Sequence, residues 1–153
     1  MKVEGVEMDH VAIMKKSWML LEKIISGEKK IESRWYSNKS SPWNKIKPDD
    51  NIYFKNSGEP ITVMAKVERV MQFDALNHNK VRKIISEYGE WDGIGINDRD
   101  KFFELFKDKE YCILIFLKNP KRIEPFSISK KGFGSMTAWM TLPQGIEGVR
   151  RAA

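Results

Sequence analysis

The sequence is poor in the residues that build disulfides and zinc sites. It contains one cysteine, Cys112, and two histidines, His10 and His78. A single thiol cannot form an internal disulfide, and three such residues cannot supply the four ligands of a Cys/His zinc site. We therefore predict a protein of a reducing compartment with no bound metal.

Long apolar segments are also missing. The longest run, from Tyr111 to Leu117, has seven residues, whereas a membrane-spanning helix needs roughly 20. The first ten residues are acidic and lack the apolar centre of a signal peptide. These absences predict a cytoplasmic protein that does not contact membranes.

Several catalytic and cofactor motifs are absent as well. There is no G-x-S-x-G sequence for a serine hydrolase, and no internal repeat of 20 to 50 residues. Gly132 and Gly134 begin a dinucleotide fingerprint, but Thr137 stands where its third glycine belongs. We therefore predict no cofactor.

What the chain does contain is enough for one well-filled core. Its 153 residues are 41% hydrophobic, and the aromatic residues comprise 5 Trp, 8 Phe and 4 Tyr. This size and composition predict a single domain over residues 1–153. The formal net charge is +6, and the segment 118–153 is the most basic part. Such a charge favours a polyanionic partner, although it also serves simple solubility.

Periodicity predicts a mixture of strands and short helices. Strands are expected at 10–14, 30–36, 51–55, 61–71 and 111–117, with the last in the middle of the sheet. Helices are expected after a Ser17 cap, with Trp18 in the core, and at 79–88 and 98–106, while Pro120 and Pro125 should end the strand that precedes them. The irregular order of these elements favours an α+β fold, a mixed β-barrel of about five or six strands with flanking helices.

One polar motif stands out, G-x-K-x-x-E-x-R, formed by Gly27, Lys29, Glu32 and Arg34. Glu32 and Arg34 are two residues apart in a predicted strand, so they share a face, and Lys29 at the preceding corner can turn towards them. An exposed strand face with charge pairs, each contributing roughly 0.2–1 kcal/mol, explains the same pattern without any ligand.

The motif and the segments that follow it resemble the ASCH domain, a branch of the PUA-like superfamily. The resemblance rests on residues 27–34, 46–54, 62–70 and 130–139 and covers about residues 10–140. It implies a small PUA-like β-barrel with flanking helices, and a cleft where Lys29, Glu32 and Arg34 meet.

Residue chemistry predicts RNA or a nucleotide-like ligand for this cleft. Basic groups can contact phosphates, aromatic rings can stack on an unstacked base, and Glu32 can accept hydrogen bonds from a base. The predicted ligand-binding residues are Lys29, Glu32, Arg34, Tyr36, Trp43, Lys130, Lys131, Phe133 and Ser135. Trp35 and Trp139 are expected in the core, whereas Trp43 lies in a polar loop that gives it no periodic reason to be buried.

Two other functions stay open. Some ASCH proteins hydrolyse N4-acetylated cytidine with a Lys, a Thr three residues later and a distant Glu, and ribonuclease activity also occurs in the family. By that resemblance Lys29 and Glu32 would be catalytic, but Glu32 stands where the Thr hydroxyl belongs, so a binding module is favoured over a hydrolase. A protein-interaction module is the third reading, because a charge of +6 is only moderate.

Overall fold

The computed structural model describes residues 7–152. The strands within them are β1 (Asp9–Met14), β2 (Ile31–Tyr36), β3 (Asn51–Asn56), β4 (Ile61–Phe73), β5 (Tyr111–Phe126) and β6 (Trp139–Leu142). The α-helices in the same range are α1 (Leu20–Ser26), α2 (His78–Tyr88) and α3 (Arg99–Phe106). The first six residues, part of the acidic N-terminus discussed above, lie outside the described residues.

The strands form one curled sheet in the order β2-β5-β4-β3-β1-β6. β1 and β3 are parallel, and the other neighbouring strands are antiparallel. The sheet closes into a half-barrel, with β2 and β6 as its two edge strands. This confirms the predicted α+β class with a mixed, barrel-like sheet.

Three apolar clusters hold the sheet in this shape. In the first, Ile24 of α1 packs with Phe54 and Ile113 of the sheet. In the second, residues of α2 and α3, among them Val81 and Phe103, pack against β2 and β5. The third joins β1 and β6 to the C-terminal segment. Among the described residues, no helix is both long enough and apolar enough to span a membrane.

The predicted central strand is confirmed, but its predicted end is wrong. β5 lies between β2 and β4 and continues through Pro120 and Pro125 to Phe126. The pairing with β2 stops at Phe116, so the later part of β5 has a strand neighbour, β4, on one side. A proline is tolerated there because its missing N–H can face the unpaired side.

The predicted Ser17 helix cap is also wrong. Lys16–Trp18 form a single 3-10 turn that ends at Met19, whose φ is 53°, and α1 begins only at Leu20. Trp18 is therefore half-buried at the surface. Trp35 and Trp139 are buried, as predicted.

The remaining elements differ from prediction mainly at their ends. α2 begins one residue earlier than predicted, because the side chain of Asn77 accepts a hydrogen bond from the Lys80 N–H at 2.8 Å and caps the helix. β6 was not predicted, since its four residues are too few to show a period. It pairs with β1 and carries Trp139 into the core.

Candidate functional site

A small pocket opens between the edge strand β2 and the end of β1. We call this cavity of about 280 Å³ the inner pocket. Aromatic side chains from three parts of the chain form its walls, and ionised side chains lie beneath them. The aromatic residues are Trp18, Trp35, Phe102 and Phe106, and the ionisable residues used below are Lys29, Glu32, Arg34 and Asp92.

Two glycines bring Lys29 into this pocket. Gly27 ends α1 with a φ of 85°, and the Lys29 N–H then donates to the Lys23 carbonyl at 2.9 Å, which turns the chain into β2. Gly93, with a φ of 83°, lets the turn after α2 approach Lys29 closely. A side chain at position 93 would start 3.4 Å from Lys29 Cβ in a strained backbone conformation.

Lys29 is the centre of a buried ionic network. Its Nζ lies 3.1 Å from Glu32 Oε1 and 2.6 Å from Asp92 Oδ1. The same Nζ donates to the main-chain carbonyls of Ile31 and Asp92, at 2.6 and 2.7 Å. Lys29, Glu32 and Asp92 are 3%, 4% and 8% exposed, so this is no exposed strand face. We call Lys29, Glu32, Arg34 and Asp92 the pocket network.

Arg34 completes the pocket network and crosses the opening of the half-barrel. Its Nε donates to Glu32 Oε2 at 2.9 Å. Its other nitrogens reach the carbonyls of Ala138 and Ile13 on the far side, at 3.1 and 3.5 Å. The guanidinium also lies over the Trp139 ring, 5.1 Å from the centroid. Arg34 therefore ties β2 to the β1–β6 side of the sheet.

The electrostatics of this network are unevenly balanced. Burial on its own lowers the pKa of Lys29, but the charges of Asp92 and Glu32 outweigh it and raise that pKa above its usual value. Burial raises the pKa of Asp92, and the neighbouring Glu32 adds to the rise despite the opposing charge of Lys29. Lys29 is thus held as an ammonium, while the surroundings of Asp92 disfavour its charged form.

A hydroxyl group belongs to the same arrangement. Ser33 Oγ lies 2.5 Å from Asp92 Oδ2 and 3.1 Å from Trp35 Nε1. An indole N–H can only donate, so Ser33 accepts from Trp35 and its own proton points to Asp92. The inner pocket therefore contains a hydroxyl hydrogen-bonded to a carboxylate that also contacts an ammonium.

The aromatic walls are positioned by packing between β2, α3 and the turn before α1. Trp35 stacks on Phe106, with centroids 4.7 Å apart and an interplanar angle of 4°. Trp18 meets Phe102 edge to face at 5.4 Å. The pocket is therefore bordered by aromatic rings that pack on one another.

A second, larger depression adjoins the first. This outer groove, of about 880 Å³, lies between the loop 37–50 and the loop 130–138. Tyr36 lines both cavities, and its hydroxyl donates to the Ser41 carbonyl at 2.8 Å. Lys45, Lys47 and Phe133 line the groove, so it has both cationic and aromatic side chains.

A second buried network lies behind the outer groove. His10 and Asp50 are both fully buried, and His10 Nε2 lies 2.9 Å from Asp50 Oδ2. Trp139 Nε1 donates to His10 Nδ1 at 3.2 Å, which assigns the imidazole proton to Nε2. Asp50 also accepts from the Met8 N–H and from both nitrogens of Lys47. We call this group the histidine network.

The structure brings together only part of the predicted ligand-binding set. Lys29, Glu32, Arg34 and Tyr36 line the inner pocket, and Tyr36 and Phe133 line the outer groove. The side chain of Lys130 donates to the Ser135 carbonyl at 2.7 Å within its own loop, and Lys131 is exposed. Trp43 is half-buried, edge-on to Tyr111 at 5.1 Å, and lines neither cavity.

Sequence reasoning did not single out Asp92, Ser33 or the aromatic partners from α3. Asp92 lies in the turn Gly89-Glu90-Trp91-Asp92-Gly93. The only sequence feature that could have indicated a role for it is its position between two glycines. Within residues 7–152, no three His, Cys, Asp or Glu side chains are placed to hold a metal ion.

The curled sheet, its helices and the pocket beside β2 define an ASCH-like fold. No family model and no curated protein matches the sequence. Among solved structures, the crystal structure of ASCH from Zymomonas mobilis covers 89% of this chain and 88% of its own, with 18% identity and a TM-score of 0.63. A single-residue variant of that protein matches over 89% and 91%, with 17% identity and a TM-score of 0.62.

A further similarity is to the N-terminal domain of Staphylothermus marinus McrB. It covers 97% of this chain and 94% of that domain, with 13% identity and a TM-score of 0.57. At these identities the similarities establish the fold. They confirm, for the fold, the ASCH resemblance inferred from the motif and the segments after it.

Proposed function

We propose that this protein binds single-stranded RNA, or a nucleotide-like ligand, by taking one unstacked base into the inner pocket. The observation that carries the proposal is the combination of aromatic walls with buried carboxylates in a cavity of about 280 Å³. Aromatic side chains favour the face of any base, and carboxylate oxygens accept hydrogen bonds from base amines. The ASCH-like fold supports the same proposal.

The positive charge for phosphates must come from outside the pocket network. Lys29 is enclosed by Glu32 and Asp92 and is 3% exposed, so it cannot reach a phosphate in solution. Lys45 of the outer groove and the exposed Lys131 are better placed for that role. In this proposal the base enters the inner pocket while the sugar-phosphate chain follows the outer groove.

Binding of a five-residue oligoribonucleotide by calorimetry tests this function. Trp18→Ala removes a half-exposed wall of the pocket, and loss of one base–aromatic stack should weaken binding by roughly 1–3 kcal/mol. Trp91→Ala is the matched control, since Trp91 is exposed and its side chain does not line the inner pocket. Equal losses in both variants, or no binding by the unaltered protein at low salt, would refute the proposal.

A hydrolase is the second candidate, favoured by the Ser33–Asp92–Lys29 arrangement. In this candidate, Asp92 Oδ2, which accepts the Ser33 hydroxyl hydrogen bond, would act as general base, and Lys29, whose donors are already used, would hold Asp92 in position. The hydroxyl that the family's Thr would supply is absent at position 32 but present at position 33. This arrangement supports amide or ester hydrolysis of a bound nucleoside.

Incubation with N4-acetylcytidine, followed by mass spectrometry, separates the two candidates. Turnover that disappears in Ser33→Ala would favour the hydrolase. Ser33→Ala is a better test than Lys29→Ala, because removal of the buried lysine also endangers the fold. If acetylcytidine stays intact after prolonged incubation while the oligonucleotide binds measurably, the hydrolase is refuted and the binding module is the function that is kept.

A further inference from the structure

The main chain of β2 presents hydrogen-bonding groups to the inner pocket. β2 is an edge strand, paired with β5 on one side, in a register that places Ile31 opposite Phe116 and Tyr36 opposite Tyr111. The Leu117 N–H donates to the Lys30 carbonyl at 2.9 Å. In an antiparallel pair successive residues alternate between facing the partner and facing away.

The alternation fixes which residues of β2 face the opening. The Lys30 carbonyl and the main-chain groups of Glu32 and Arg34 point towards β5, whereas Ile31, Ser33 and Trp35 direct theirs to the unpaired side. Ile31 is satisfied there: its N–H donates to the Trp91 carbonyl at 2.9 Å and its carbonyl accepts from Lys29 Nζ at 2.6 Å.

On this unpaired side of β2, the main-chain N–H and carbonyl groups of Ser33 and Trp35 have no hydrogen-bond partner among residues 7–152. Both residues line the inner pocket, and Trp35 is 8% exposed. Each therefore offers an N–H donor and a carbonyl acceptor at the inner pocket, where Trp35 is buried and Ser33 is half-buried. Buried main-chain groups are rarely left without a partner, so a polar ligand is the natural complement.

An extended peptide would be the usual complement of an open strand edge, but the geometry here argues against it. Arg34 crosses the opening from β2 to the carbonyls of Ile13 and Ala138. α3 covers the other side, where Phe106 stacks on Trp35. A strand has no continuous path along β2, whereas a single base needs only the cavity of about 280 Å³.

We propose that the main-chain N–H and carbonyl groups of Ser33 and Trp35 recognise the hydrogen-bonding edge of the inserted base. This rests on the proposed function and names the groups that determine its specificity. The edge of a base carries donors and acceptors side by side, which a strand edge can match. Glu32 and Asp92 add acceptors nearby, so a base with an exocyclic amine is the favoured class.

Amide hydrogen exchange, followed by nuclear magnetic resonance, tests this directly in the full chain. The four nucleoside 5′-monophosphates are added separately at saturating concentration. We expect the Ser33 and Trp35 amides to exchange at least 10-fold more slowly with the tightest-binding nucleotide. The amides of Glu32 and Arg34 already pair with β5 and serve as internal controls, with little change.

The possible failures are distinguishable. If a nucleotide binds by calorimetry but the Ser33 and Trp35 amides exchange at their original rates, main-chain recognition is refuted and base binding stands. If UMP binds as tightly as CMP, the preference for an exocyclic amine is refuted. If no nucleotide and no oligoribonucleotide binds at low salt, both the proposed function and this inference fall.

Discussion

The pocket network and the histidine network use similar residues to opposite effect. In the histidine network, Asp50 is a single carboxylate surrounded by donors from His10, Met8 and Lys47. In the pocket network, Glu32 and Asp92 share the ammonium of Lys29. The hydrogen-bonding groups of the histidine network therefore all have partners inside the fold. The pocket network instead places Asp92, whose pKa is raised, beside the inner pocket.

The pKa values express this difference. Burial alone would raise the pKa of Asp50, but hydrogen bonds from His10, Met8 and Lys47 lower it to about 2. Burial and the charge of Glu32 raise the pKa of Asp92. Perturbed carboxylates in cavities are typical of functional sites. The contrast is one reason for proposing the inner pocket, rather than the equally buried histidine network, as the ligand site.

The largest expected effect is the loss of Lys29. Lys29→Met leaves Glu32 and Asp92 buried without their shared cation, which should lower the free energy of unfolding by about 3–5 kcal/mol. Urea denaturation measures the change, and Lys30→Met, at the exposed neighbouring lysine, is the control. A loss below about 1 kcal/mol would show that the pocket network is not a buried ionic unit.

The next effect concerns Asp50 and depends on pH. Because the pKa of Asp50 falls from 3.8 to about 2 on folding, its ionised form stabilises the fold above pH 4, and that contribution disappears as the pH falls towards 2. It amounts to about 2 kcal/mol. Asp50→Asn should remove it at pH 7 and flatten acid denaturation in this range. An unchanged acid transition would contradict the assignment.

The same substitution in the pocket network should behave differently. The raised pKa of Asp92 means that its charge costs stability in full above its folded pKa, and that this cost disappears as the pH falls from the folded pKa towards the unfolded value of 3.8. Asp92→Asn removes that cost and leaves Lys29 paired with Glu32, so it should lower the free energy of unfolding at pH 7 by less than Asp50→Asn does. Oligonucleotide binding should nevertheless weaken. A loss as large as that of Asp50→Asn, with binding intact, would erase the distinction between the networks.

The smallest expected effect lies outside both networks. Lys29 is enclosed in the pocket network and cannot reach a phosphate, so the salt dependence of RNA binding should come from exposed lysines. Lys131→Ala should reduce the magnitude of the salt slope by about one phosphate contact. Lys101→Ala, an exposed lysine on α3, is the control. Salt-independent binding of a partner would favour the protein-interaction reading.

The sequence predicted the fold class and the motif geometry better than the site. Alternation alone placed Glu32 and Arg34 together, and the corner after Gly27 placed Lys29 beside them. The burial of this group could not be read from local pattern, because it depends on distant residues such as Asp92, which lies 63 residues beyond Lys29. Trp18 was assigned to the core because helical spacing cannot reveal a 3-10 turn.

The prolines of β5 also show that a local sequence rule can fail when it depends on the neighbouring strands. Pro120 and Pro125 indicate a break wherever both strand edges are paired, but β2 is too short to reach them. Strand length and neighbour identity are tertiary properties, so a local rule about proline failed there. The roles predicted for Trp43, Lys130, Lys131 and Ser135 stay predictions, to be tested by the binding experiments above.

The central claim is that a base, and not only a phosphate, occupies the inner pocket. Calorimetric titration with AMP, CMP and ribose 5-phosphate compares ligands that share a phosphorylated ribose and differ in the base. Loss of the base removes stacking worth roughly 1–3 kcal/mol. The account predicts that the tighter nucleotide binds at least 10-fold more strongly than ribose 5-phosphate. Equal affinity for all three would contradict it, because the protein would then recognise only the anion.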